Sequence, residues 1–176
     1  MKNINLQIAK GSFVCIIGDV GSGKSSLLSA LIGDMLYLKK EDLDNIDLEK
    51  VNDLSQNKIR ESESPIILNQ SLSFVQQTIR ENILFGSEFN ETKYLLTIKQ
   101  CELERDLEIL PAGDMTEIGE KGINLSGGQK ARLSLARAVY ANKDMVLMDD
   151  PISALDANVK KKIFTNVFNG AFKGKT

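Results

Sequence analysis

Gly18-Asp19-Val20-Gly21-Ser22-Gly23-Lys24-Ser25 is the stretch from which the rest of the chain is read. It satisfies G-x-x-x-x-G-K-[ST] at every position. Glycines let the main chain turn its N–H groups inward around phosphate oxygens where a Cβ would clash, and a helix starting behind the turn adds partial positive charge. In that pattern Lys24 reaches the β- and γ-phosphates and the Ser25 hydroxyl ligates Mg²⁺. The plain alternative is a Gly/Ser-rich connector, and average residue usage gives a chance match in about one of a hundred chains of this size. Context argues against chance. Phe13-Val14-Cys15-Ile16-Ile17 is an unbroken apolar run, the pattern of a strand covered on both faces in a parallel sheet, and Leu27, Leu28, Leu31, Ile32 and Met35 recur at helical spacing. Residues 18–26, from Gly18 to Ser26, are therefore expected to wrap the phosphates of a Mg-nucleotide.

Outward from this turn, Lys39 to Ser64 is rich in Lys, Glu, Asp, Asn and Ser and reads as a solvated insertion closed by Pro65. Ile66-Ile67-Leu68 resumes a strand-like run that ends at Asn69-Gln70. Thr78 to Leu110 has a helical pattern, Pro111-Ala112-Gly113-Asp114 a turn, and Gln129 to Asn142 a helix with Leu133, Ala136 and Tyr140 on one face. Met145-Val146-Leu147-Met148 is a short strand ending in Asp149-Asp150. A strand-ending acid is by itself an ordinary turn residue. Behind a phosphate loop it is expected to hold the water shell of Mg²⁺, since parallel sheets bind ligands at the carboxyl ends of their strands. Leu125-Ser126-Gly127-Gly128-Gln129 opens the last long helix, and two readings stand side by side: an anion site at free N–H groups, or a simple cap with Ser126 as N-cap.

Composition narrows the classes. A chain of 176 residues with 42 % apolar and 26 % charged residues fits one globular domain with its own core. A net charge of -2, spread evenly, offers no basic stripe for nucleic acid. No apolar run reaches membrane-spanning or signal-peptide length, so the chain is expected neither to cross a membrane nor to be secreted. Cys15 and Cys101 lack metal-ligand spacing and are expected to be reduced, buried and cytosolic. With no histidine in the chain, any general base must be a carboxylate.

The order of motifs, phosphate loop, Gln70, Leu125 to Gln129, then Asp149, resembles that of ATP-binding cassette (ABC) proteins. The phrases Thr78-Ile79-Arg80-Glu81-Asn82-Ile83-Leu84-Phe85-Gly86, Thr116-Glu117-Ile118-Gly119-Glu120-Lys121-Gly122 and Asp149-Asp150-Pro151 look like the first nucleotide-binding domain of subfamily C transporters. The resemblance implies an α/β fold: a P-loop NTPase cassette with a mainly parallel sheet core (about 1–70 and 143–176), a helical signature subdomain (about 71–142) and the polar insertion (39–64), truncated at both ends. It implies ATP and Mg²⁺ as ligands, with Ser25, Gln70 and Asp149 at the metal and Lys24, Gln70 and Asp150 in catalysis. Gln70 matches the glutamine that touches metal or attacking water, Gln76 and Gln77 fitting less well. Ser126 to Gln129 match the signature that binds ATP held by a second cassette in a head-to-tail dimer. Ser153-Ala154-Leu155-Asp156 matches the loop across that interface, and Thr116 to Gly122 the stretch that meets coupling helices of transmembrane domains.

Three departures shape the expectation. Asp150 stands where an active cassette has a catalytic Glu; its carboxylate is one methylene shorter, and slow hydrolysis follows. The resemblance places the final strand and switch histidine just beyond Thr176, and the adenine-stacking aromatic upstream of Met1; Tyr37, Tyr94 and Tyr140 do not match its place. Ser62 and Ser64, beside acids and Pro65, are candidate phosphorylation sites. The expected function is the cassette of a membrane exporter, working at the cytoplasmic face as part of an integral membrane transporter. The alternative is a catalytically weak regulatory module that gates a channel or receptor. A chromosome-organising ATPase would need a long coiled-coil excursion, which the sequence lacks.

Overall fold

The computed structural model describes residue 4 and residues 6–32, 66–69, 75–119 and 124–176, with the main chain alone for 66–69. Gln70, the insertion 39–64 with Ser62 and Ser64, Tyr37, and residues 120–122 lie outside the described residues.

Local chemistry accounts for where the helices begin. α1 (Lys24–Leu31) starts on Gly23, whose φ of 93° only glycine adopts without strain. α2 (Ile79–Leu84) opens with a reciprocal cap in which the Thr78 hydroxyl accepts from Glu81 N–H and the Glu81 carboxylate accepts from Thr78 N–H. It stops where Phe85 and Gly86 turn left-handed, at φ 43° and 83°. Asn90 caps α3 (Glu91–Gln100), and α4 (Glu104–Ile109) follows after a two-residue corner and Leu103. A 3₁₀ turn, Gly113–Met115, then leads back to α2: Ile79 N–H donates to Thr116 O at 3.1 Å and Ile118 N–H to Gln77 O at 3.1 Å. α5 (Gly127–Ala141) runs to Asn142, which ends it in the left-handed region. Asp156 caps α6 (Ala157–Ile163), which continues into a π-helical segment, Phe164–Ala171.

β1 (Ile66–Asn69) and β2 (Val146–Asp149) are parallel, in a register that sets Asn69 opposite Asp149. The strand-like runs at 66–68 and 145–148 thus pair, and α1 lies against β2. Main-chain bonds from Val146 N–H to Thr176 O (2.7 Å) and from Thr176 N–H to Asp144 O (2.9 Å) lay the last residue beside the start of β2.

The core sits where α2, α3, α5 and α6 meet. Ile83, Leu133, Leu135, Tyr140, Ile163 and Val167 are fully buried there, each such side chain contributing roughly 1.5–3 kcal/mol. Leu133, Ala136 and Tyr140 face it together, as their spacing predicts. The buried Tyr140 hydroxyl is satisfied, donating to Glu88 O at 2.6 Å and accepting from Asn90 N–H at 2.8 Å.

Phe13–Ile17 departs from expectation. It forms no strand, and Phe13 is 68 % and Ile17 87 % exposed. An apolar run becomes a buried strand only with ladder partners on its edges and layers on its faces. Among the described residues this run has an edge-on contact of Phe13 with Phe168 and no neighbouring strand. Cys15 is accordingly exposed rather than buried, whereas Cys101 is buried as expected.

Candidate functional site

The phosphate loop has the backbone its glycines allow. Gly21 and Gly23 take φ of 83° and 93°, and a Cβ on Gly18 would fall 2.8 Å from Ser22 Oγ. Ser22 N–H closes the turn on Asp19 O at 3.2 Å. Lys24 curls back over it, its Nζ donating to Gly18 O and Asp19 O, both at 2.8 Å. No side chain caps α1, so its first N–H groups remain available to an anion. Val20, Ser25 and Ser26 are exposed around the same turn. Main-chain donors, one ammonium and one hydroxyl are the set that suits a polyphosphate.

Asp149 closes β2 and is half-buried; Asp150 follows it exposed, in the left-handed region at φ 49°. α1, which begins at the phosphate loop, packs on this same strand. Ser25 and Asp149 are hard oxygen donors of the kind Mg²⁺ prefers. Gln70, expected to join them, lies outside the described residues, one position beyond Asn69, which stands opposite Asp149.

The Leu125–Gln129 turn lies on a separate element, the start of α5. Of the two readings of Ser126, the hydrogen bonds show the cap. It is an N-cap: its hydroxyl accepts Gln129 N–H at 3.2 Å, while Ser126 N–H donates to Gln129 Oε1 at 2.9 Å. As an acceptor, that hydroxyl still has its own proton to donate. The 153–156 loop passes beside the two glycines: a Cβ on Gly127 would be in ordinary contact at 3.5 Å from Ala154 Cβ, and one on Gly128 at 3.4 Å from Ala154 O. Asp156, at the end of that loop, accepts Asn158 N–H and Val159 N–H, each at 3.0 Å. Those bonds, Val159's above all, hold its carboxyl below the usual range.

Sequence reasoning missed several supporting residues. Asp106 on α4 accepts from Arg132 and Gln129, and Arg137 bonds Asn82 across the α2–α5 contact. Arg132 and Arg137 were within reach of helical-face logic, since Gln129 and Arg132 are one turn apart. Asp106 carried no signal, because its partners are over twenty residues away. Arg80 likewise forms a two-bonded pair with Asp114, at 2.7 and 3.2 Å, joining α2 to the 3₁₀ turn. The Asp114 hydrogen bond raises its guanidinium pKa. Among the described residues no helix is long and apolar enough to cross a membrane.

The ABC transporter family profile matches residues 1–153. ATP-binding cassette sub-family C member 2 of Homo sapiens is 49 % identical over 185 aligned residues, covering all of this chain and 10 % of that protein. ABC transporter C family member 8 of Dictyostelium discoideum is 46 % identical over 169 residues, covering 96 % of the chain and 10 % of the relative. ATP-binding cassette sub-family C member 3 of Homo sapiens is 44 % identical over 178 residues, again covering all of the chain and 10 % of the relative. The chain thus spans about a tenth of the length of these relatives. The expected resemblance to subfamily C is borne out.

Proposed function

This chain belongs to the ABC transporter family, and from that premise we propose that it is the Mg-ATP-binding cassette through which a membrane exporter converts nucleotide binding into movement. Gly18 to Ser26 hold the triphosphate: main-chain N–H groups of the loop and of the start of α1 bond its oxygens. Lys24 leaves the Gly18 and Asp19 carbonyls for the β- and γ-phosphates. Ser25, Gln70 and Asp149 hold the metal, which when bound neutralises phosphate charge. Ser126 to Gln129 meet ATP held by a second cassette, and this nucleotide-driven pairing moves transmembrane domains elsewhere in the assembly through coupling helices. In this reading residues 1–70 and 143–176 form the nucleotide-binding core and 71–142 the helical part, and the whole sits at the cytoplasmic face of a membrane.

The observation that carries the reading is the loop itself, two left-handed glycines and a lysine at the uncapped start of α1. Titration of the chain with Mg-ATP tests it. Native protein should bind, and Lys24→Ala should lose at least about tenfold in affinity, the scale of one charge-assisted contact. Unchanged binding by that variant would sink the proposal.

Asp150 favours a second reading in part: a module that binds ATP, hydrolyses it poorly and gates a channel or receptor. With one methylene fewer than Glu, its carboxylate stops short of the water it would orient, and small misplacements of this kind are costly in rate.

A further inference from the structure

Asp106 belongs to none of the motifs above, yet its carboxylate organises the start of α5. Oδ1 accepts from Gln129 Nε2 at 3.2 Å, and Oδ2 accepts from Arg132 Nε at 2.9 Å and Nη2 at 2.6 Å. Asp106 and Arg132 are mostly enclosed, their side chains 15 % and 14 % exposed. A carboxylate can only accept, so Gln129 must meet it with its NH₂ group, and Oε1 is thereby turned toward Ser126 N–H, which it accepts at 2.9 Å. Arg132, held by the same carboxylate, lies beside Gly128, where an added Cβ would be 3.6 Å from its Nη1.

We propose that Asp106 is a positioning residue for the signature turn: through Gln129 it fixes the orientation in which Ser126 meets a phosphate held by a second cassette. This rests on the reading of Ser126 to Gln129 given under the proposed function. The step from Asp106 to Ser126 is a hydrogen-bond count. Asp106→Asn replaces two acceptors with one acceptor and one donor. If the new NH₂ faces Arg132, donor meets donor. If it faces Gln129, that amide turns over and its own NH₂ confronts Ser126 N–H. Every arrangement of the single variant leaves one such conflict. Combining Asp106→Asn with Gln129→Glu removes it. The new amide oxygen accepts from Arg132, its NH₂ donates to the new carboxylate, and the other carboxylate oxygen accepts from Ser126 N–H.

The test uses the full chain in three measurements. Fluorescent ATP analogue binding at high dilution reports the chain's own phosphate loop, sedimentation equilibrium in Mg-ATP reports pairing of two copies, and hydrogen exchange reports the Ser126 amide. Asp106→Asn should bind the analogue as the native chain does, pair about tenfold more weakly and exchange Ser126 N–H about tenfold faster. The double variant should recover the slow Ser126 exchange, the one readout that depends on the hydrogen-bond count alone, whereas Gln129→Glu by itself, which opposes two carboxylates, should not keep it. Native-like pairing by Asp106→Asn, or a double variant whose Ser126 amide exchanges as fast as that of the single one, overturns the proposal. A native chain that binds the analogue but never pairs overturns the two-cassette reading and this role with it, and is recognised before any substitution is made. If the single variant does not fold, the double variant decides: it folds and protects the Ser126 amide, or the proposal is wrong.

Discussion

Arg137 lies across Asn82 in the contact between α2 and α5, its Nε donating to the Asn82 main-chain oxygen at 2.8 Å and its Nη2 to Oδ1 at 3.0 Å. Asn82 in turn donates from Nδ2 to Val75 O and Thr78 O, each at 3.0 Å, and accepts Val75 N–H at 3.1 Å. One buried amide therefore fastens the approach to α2 onto the helix that begins with the signature turn. The Phe85 ring lies 4.4 Å from the guanidinium carbon, and burial pulls the Arg137 pKa below its ordinary value.

Arg137→Ala should cost about 3 kcal/mol, because it removes two charge-assisted bonds and leaves buried acceptors on Asn82. Urea unfolding followed by circular dichroism measures this. A loss under about 0.5 kcal/mol, the range of ordinary surface changes, would mean the contact is not structural.

The two cysteines should differ sharply toward a thiol reagent. Cys15 is exposed and should be modified in the native chain; Cys101 is buried, its thiol pKa raised by desolvation, and should react only on unfolding. Mass spectrometry after brief alkylation separates them. A protected Cys15 would contradict the exposed course of Phe13–Ile17.

Acid should loosen α6. The Asp156 carboxyl is depressed below its ordinary value by main-chain N–H groups, first that of Val159, so its stabilising effect is complete above the unfolded pKa. That contribution fades as pH falls through the lower folded value, that is, below about pH 4. Asp156→Asn keeps a good cap at every pH and should flatten this part of the acid transition, as circular dichroism against pH would record. An unchanged acid limb would remove Asp156 from the account.

Asp150→Glu should raise the ATPase rate of paired chains by roughly 10- to 100-fold, the scale of a misplacement of about 1 Å. A steady-state phosphate-release assay reads it directly. No gain would mean that the length of Asp150 does not limit hydrolysis.

Local chemistry was legible in the sequence and tertiary pairing was not. Ser126 reads as an N-cap from its place before a helical pattern, and the glycines of 18–23 read as a turn; both follow from steric and hydrogen-bonding rules that span a few residues. The strand at 145–148 and its terminal Asp149 were readable for the same reason, although β2 runs from Val146. Phe13–Ile17 failed because apolarity marks a segment that suits burial without saying what covers it. Asp106 and Asn82 were invisible, since each is an ordinary polar helix residue until the fold brings Gln129 or Arg137 to it.

Hydrogen exchange at the main-chain amides of residues 18–26, with and without Mg-ATP, tests the central claim most directly. Nucleotide should slow exchange at the Gly21 to Ser26 amides, and Lys24→Ala should abolish the slowing at the same nucleotide concentration. Protection that arises elsewhere while these amides exchange unchanged would contradict the account.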